Sequence, residues 1–184
     1  MSTPSSNSAL QPEIDLLIGF VNTHDLEEET DAIANPALLQ GWIEEQTGEH
    51  LPEVEEEDLR RLHRLREALR ALMRANNGDE PQDRELQPLR EAAERSRYRL
   101  SFDSHGTLTL APARAGLSGF ESRLLLALER LQCEDAWPRL KACTDEGCQW
   151  AFYDTTRNRS RTWCSMDVCG NREKTRRYRQ RKSA

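Results

Sequence analysis

No run in the 184-residue sequence approaches the roughly 18 consecutive apolar residues of a membrane span, which excludes an integral membrane helix. The opening residues, MSTPSSNSALQPE, lack both a positive n-region and an apolar stretch. They predict a disordered polar tail over 1–12 rather than a signal peptide, and the cytoplasm as location. Histidine is scarce: His24, His50, His63 and His105 stand far apart and form no ligand pair. No glycine-rich phosphate loop, nucleophile elbow or metalloprotease helix is present, so the chain is not expected to be an enzyme. Hydrophobic residues reach only 36% against 32% charged, so the core is modest. The length accommodates one ordinary domain, or a main domain with a small appended module.

The formal charge of −6 conceals a division. Residues 1–138 hold 14 Lys and Arg against 27 Asp and Glu, a balance of −13, whereas 139–184 hold 12 against 5, a balance of +7. An acidic body therefore carries a basic tail, an asymmetry that points to a polyanion as partner of the tail.

In the body, apolar periodicity predicts a largely buried helix over 13–24, a short helix from Pro36 to near Gly48, and a long one over 55–75. The last has Leu59, Leu62, Leu65, Leu69, Leu72 and Met73 as one stripe, either a core face or the seam of a homodimer. A thin helical pattern covers 82–95. Tyr98, Leu100 and Phe102, then Leu108 and Leu110, alternate about the turn residues 103–106 as a hairpin does. Helix returns over 118–132, and Pro138 marks the exit. The expected class is α-rich α+β: an α-rich domain over 13–138 with one small hairpin, then a zinc module over 139–184 packed against it. Asn22, Thr23, His24 and Asp25 form a polar cluster after the first helix; adjacent helical residues point roughly 100° apart, so capping is expected there rather than an acid–base dyad.

The tail reads Cys143-x4-Cys148-x15-Cys164-x4-Cys169. Two close cysteine pairs at this separation match a tetrahedral structural zinc site, with iron as a minor competitor. Disulfides are disfavoured in a chain without an export signal, and inert buried thiols do not explain two regular spacings. Asp145–Glu146–Gly147 supplies a tight turn before Cys148, and Gly170–Asn171 opens a helix after Cys169. The β-prone stretches 149–154 and 161–164 flank a turn-rich segment and predict a hairpin, giving a treble-clef-like order of knuckle, hairpin and helix. A module of this size depends on its metal to fold. Trp150, Phe152, Tyr153 and Trp163 are expected mainly as its small core, and Cys133 as a core thiol of the body.

The stretch Cys143-x4-Cys148-Gln149-Trp150-x-Phe152-Tyr153-Asp154-Thr155-Thr156-Arg157-Asn158, continued by Arg161-Thr162-Trp163-Cys164-Ser165-Met166 and Cys169-Gly170-Asn171-Arg172-x-Lys174, resembles the CGNR zinc finger. Gly19-Phe20-Val21-Asn22-Thr23 resembles the opening motif of the ABATE domain, the α-rich partner of that finger in many bacterial proteins. Gly19 stands where an aspartate is frequent, and Thr162 where the finger often has another arginine. The resemblance implies one zinc on Cys143, Cys148, Cys164 and Cys169, and a stress-related transcription regulator.

Residues 157–182 hold ten Lys and Arg against Asp167 and Glu173. Two or three of those cations suffice to offset the charge of a four-thiolate zinc, and phosphates account for the excess. Arg157, Arg159, Arg161, Arg172, Lys174, Arg176, Arg177 and Arg179 are the candidate contacts to nucleic acid, with DNA expected. In a helix after Cys169, Arg172, Arg176 and Arg179 form one stripe, and Lys174, Arg177 and Arg181 the opposite one. A merely solvated tail, a zinc-stabilised protein-interaction module, and a body that senses a small-molecule effector are the alternatives.

Overall fold

The long amphipathic stripe becomes the axis of the molecule. In the computed structural model, which describes residues 6–183, helix α4 spans Glu56–Ala75 after α1 (Ser6–Ala9), α2 (Gln11–Val21) and α3 (Pro36–Thr47). Its start is set by a capping box in which the Glu55 N–H donates to Asp58 Oδ2 at 3.2 Å, and by Glu56, Glu57 and Asp58 at the positive end of the helix dipole. Leu59, Leu62, Leu65, Leu69 and Met73 are all buried within the one chain, so the stripe is core and not a dimer seam.

α2 buries Ile14, Leu17, Phe20 and Val21 against α4 and α6 (Gly116–Cys133). α3 starts with Pro36 in its first turn and the Asn35 carboxamide accepting from the Leu38 N–H at 2.9 Å, and ends at Gly48, whose φ of 68° requires the left-handed region. Phe20, Trp42 and Phe120 knit α2, α3 and α6 together, with ring centroids 5.6–5.8 Å apart and both Phe120 contacts edge-on. α5 (Asp83–Arg95) packs on α4 and α6.

Among the described residues, three two-stranded antiparallel sheets complete the fold: β1 (His24–Asp25) with β2 (Thr30–Asp31), β3 (Tyr98–Phe102) with β4 (Leu108–Pro112), and β5 (Leu140–Ala142) with β6 (Ala151–Tyr153). A single turn of 3₁₀ helix at Trp137–Arg139 leads into β5, and α7 (Asn171–Ser183) ends the chain. Leu140, Ala142 and Ala151 belong to the same apolar core as α2, α4 and α6, so the tail packs against the body as its sequence leads one to expect. No helix among the described residues is long and apolar enough to cross a membrane.

Several expectations are corrected. Of the tail predicted as disordered over 1–12, residues 1–5 lie outside the described residues; Ser6–Ala9 is helical, Leu10 is buried, and α2 begins at Gln11. The tail hairpin is not formed by 149–154 with 161–164: β6 pairs instead with β5, because Leu140 and Ala142 are apolar enough to enter the core beside it. Cys133 is exposed and its thiol points to Glu129 Oε1 at 3.2 Å, since α6 turns its last residue away from the core.

Leu65 is 1% exposed, so Leu65→Ala should lower unfolding stability by about 2–5 kcal/mol in urea titration. Leu38→Ala, on the solvent side of α3, should change it by under about 0.5 kcal/mol.

Candidate metal centre and basic face

Pairing of β5 with β6, Leu140 opposite Tyr153 and Ala142 opposite Ala151, folds residues 143–150 into a loop that carries the first cysteine pair. The Cys143 N–H donates to the Trp150 carbonyl and the Cys148 N–H to that of Asp145, both at 2.9 Å. The residue that takes the left-handed conformation here is Gln149, φ 47°, and not the Gly147 that the sequence singles out for this turn.

The second pair is brought in from the far side of the loop 154–163. The Thr144 N–H donates to the Thr162 carbonyl at 3.1 Å, and the Arg161 guanidinium, 4.7 Å from the centroid of the Phe152 ring, donates to the carbonyls of Trp163 and Cys164. Cys169 lies in a wide π-type turn, Met166–Gly170, capped by Ser165 and continuous with α7.

These constraints place the four Sγ atoms within 4.8 Å of one another, Cys148 to Cys164 at 3.5 Å and Cys164 to Cys169 at 3.7 Å. Zinc–sulfur bonds of about 2.3 Å require sulfur–sulfur edges of about 3.8 Å, so the cage has the right size. Its donor chemistry fits as well. Cys143 accepts from the backbone N–H of Cys164 and Asp145, and Cys148 from that of Trp150, all of which favour thiolate. The hydrogen bond with Cys148 holds Cys143 down at about 5, while the same bond raises Cys148 and burial pushes Cys164 up and Cys169 up to about 12. Four thiolates this close repel unless a dication neutralises them, and a four-sulfur cage leaves zinc no open coordination position. Trp150 and Trp163 pack against it. One structural zinc is the cofactor of this module.

The loop is itself pinned by a group that sequence reasoning missed. Asp154 is buried and accepts from the Thr156 N–H (2.9 Å) and hydroxyl (2.6 Å), the Arg161 N–H (2.9 Å) and the buried Lys141 ammonium (3.0 Å). Burial raises its pKa, yet the Thr156 and Lys141 hydrogen bonds prevail and hold it at about 2. Lys141 also donates to the carbonyls of Arg159 and Arg161, at 2.6 and 3.0 Å.

Body and module are joined by side chains answering backbone. Asn22 pairs with Ala151 as a strand would, its amide donating to the carbonyl at 2.9 Å and its oxygen accepting from the N–H at 2.8 Å. Asn76 donates to the carbonyls of Trp137 and Leu140, Asn77 to that of Ala142, and Arg70 to that of Gln149. Asn76 and Asn77, just past the end of α4, thus serve the junction with the module. Thr23 does cap, its hydroxyl donating to the Phe20 carbonyl, and Asp25 accepts from the N–H groups of Glu27 and Glu28.

The basic residues divide. Arg172 meets Glu27 and lies 3.7 Å from Asp145; Arg176 is 3.6 Å from Asp145 and 3.0 Å from Glu173. Arg159 pairs with Asp135 at 2.7 Å, and Arg161 serves Cys164. Arg157, Lys174 and Arg179 are exposed, as are Arg181 and Lys182. The side chain of Arg177 lies outside those described.

Metal analysis should find one zinc per chain, lost when any one of Cys143, Cys148, Cys164 or Cys169 becomes Ser and retained in Cys133→Ser. Binding expels thiol protons, so occupancy measured against a chelator should fall as pH is lowered. Asn22→Ala leaves the Ala151 N–H and carbonyl unanswered and should cost about 1–3 kcal/mol in denaturant titration, with zinc still bound.

Comparison with known families agrees with this architecture. Residues 15–136 match the model of the ABATE family, described as "Putative stress-induced transcription regulator", and residues 139–182 match that of the CGNR zinc finger. Neither is an enzyme family. No curated protein matches the chain. With its N-terminal two thirds covered by the one and its four-cysteine cage by the other, the chain belongs to the ABATE family and carries a C-terminal CGNR zinc finger.

Proposed function

We propose that this zinc-binding regulator acts in the cytoplasm by binding nucleic acid, DNA foremost, through its module over 139–184, with the body over 13–138 as the regulatory half and no catalytic step. What supports this is the outer face of α7. Lys174, Tyr178, Arg181 and Lys182 recur at i, i+4, i+7 and i+8 and are all exposed, Tyr178 at 67%. A helix face that is cationic, solvated and interrupted by one aromatic suits phosphates on either side of a stacked or grooved base. Arg157, on the loop beside the cage, adds to the same charge.

The opposite stripe meets phosphate by exchange. Arg172 and Arg176 are held by Glu27 and Asp145, and Arg159 by Asp135, so a polyanion must replace carboxylates there. The Glu27 and Asp135 pairs are exposed and screened by salt, so phosphates displace them readily, whereas Asp145 is buried and its contacts to Arg172 and Arg176 are screened less. Arg161 supports the cage from beneath.

Binding to duplex DNA, followed by fluorescence anisotropy, should weaken with salt at a slope near about −4.5 in log K against log salt if about five phosphates are contacted. Lys174, Arg181 and Lys182 changed together to Glu should abolish it with zinc retained, and Glu27→Gln should strengthen it a few-fold at low salt. Selection from random DNA and RNA pools separates the two nucleic acids. A chain that retains neither, at low salt and with zinc bound, would sink the proposal in favour of a protein-interaction module.

A further inference from the structure

The β3–β4 hairpin is dressed the wrong way for a monomer. Its register sets Tyr98 opposite Pro112, Leu100 opposite Leu110 and Phe102 opposite Leu108, so six apolar residues share one face. That face is in solvent: Phe102 is 72% and Leu100 64% exposed, and Tyr98, Leu108 and Leu110 are exposed as well. All five residues of β3 are exposed, so the other face, with the Ser101–Thr109 hydroxyl pair at 2.7 Å, supplies little burial either. A two-stranded hairpin is marginal in water by itself and needs packing to hold its register.

From this we infer that a second copy of the chain covers the face, the two hairpins packing apolar face to apolar face about a two-fold axis. The face is uncharged, so an isologous contact sets no like charges against one another. It offers roughly 500 Å² of mostly apolar surface, within the size of the largest, often functional, patches that monomers expose. It is also continuous with a groove of about 880 Å³ between β4, α2 and α6, which adds Leu16 and Leu126. Two such faces packed on one another bury roughly 1,000 Å² in total, about the lower bound of a specific interface.

The surroundings of the face are polar. Residues 97–114 carry Arg97, Arg99 and Arg114 against Asp103 alone, within a body of balance −13. The groove rim carries Glu13, Asp15 and Glu129, with Arg123 and Arg130. Glu13 and Arg130 pair with one another and Arg123 pairs with Glu49, so the border of the apolar face is polar and internally neutralised, an apolar centre within a polar rim.

The inference is independent of nucleic-acid binding, and its test uses the zinc-loaded full chain without nucleic acid. Sedimentation velocity from about 1 to 200 µM should show a dimer. Leu100→Asp with Phe102→Asp should weaken the dimer at least about 100-fold while leaving zinc content and helical circular dichroism unchanged. Hydrogen exchange of the unaltered chain supplies a readout free of any folding defect: amides of 98–102 and 108–112 should gain protection as concentration rises. A chain that stays monomeric throughout, a double variant that still dimerises with native affinity, or hairpin exchange independent of concentration would each overturn it. A monomer whose hairpin amides are protected only by an added apolar small molecule would overturn it in favour of a ligand groove.

Discussion

A single guanidinium holds the architecture together. Arg70 is 2% exposed, and its three donor positions answer four acceptors: Glu67 Oε2 at 2.9 Å, the Val21 carbonyl at 2.8 Å, the His24 carbonyl at 3.1 Å and the Gln149 carbonyl of the zinc module at 2.8 Å. A buried charge without such partners is costly, and removing one partner of a buried pair costs about 3–5 kcal/mol. The end of α2, the middle of α4 and the turn after Cys148 therefore have one mutually satisfying arrangement. Arg66, one turn earlier, repeats the device on the body alone, binding Asp31 through both terminal nitrogens at 2.7 and 2.8 Å and the Thr23 hydroxyl at 3.0 Å. Burial works against ionisation of Asp31, and the Arg66 hydrogen bonds outweigh it to hold the carboxyl low.

This lock explains what the short motif Gly19-Phe20-Val21-Asn22-Thr23 does. Phe20 enters the aromatic trio, Val21 offers its carbonyl to Arg70, Asn22 pairs with Ala151 and Thr23 receives Arg66. The motif sits where body and module meet, so its residues serve assembly rather than acid–base chemistry. The module in turn lacks an apolar core sufficient for its length, and its strands bury Leu140, Ala142 and Ala151 in the body. Zinc closes one end of the module and the body closes the other.

The parts of the fold that were legible in the sequence are those with a period or a fixed spacing. The Leu59 to Met73 stripe, the Pro36 and Gly48 boundaries of α3 and the alternation about residues 103–106 each reflect a local rule. The cage was legible because two close cysteine pairs at that separation bring four thiolate ligands to one metal. Long-range partnerships were not. Arg66 and Arg70 look like the polar side of α4, and only the folded chain places carbonyls and carboxylates around them. The pairing of β5 with β6 was hidden because Leu140–Ala142 is too short to show alternation, while Arg161-Thr162-Trp163 looks more strand-like and is instead spent on the Cys164 carbonyl. Cys133 was misjudged for a related reason, since the last residue of a helix no longer follows the burial of its stripe.

The division of charge acquires a physical meaning from these contacts. Were the acidic body merely a solvated counterweight, its carboxylates would be spread away from the module. Two instead meet the module's arginines, Glu27 at Arg172 and Asp135 at Arg159, and Asp145 within the module itself adds contacts to Arg172 and Arg176. The Glu27 and Asp135 pairs are exposed, hence weak and screened by salt, so under the proposed function they would set a threshold for a competing polyanion rather than a block. Because Glu27 lies just beyond α2, in the turn bounded by β1 and β2 and fixed through Asp31 and Arg66, any rearrangement of that turn changes the same threshold. Thermodynamic reciprocity then requires that a polyanion which displaces Glu27 also alters the stability of the turn. The acidic half and the basic half are in this way coupled through named side chains, with the zinc cage as the rigid point against which α7 is held.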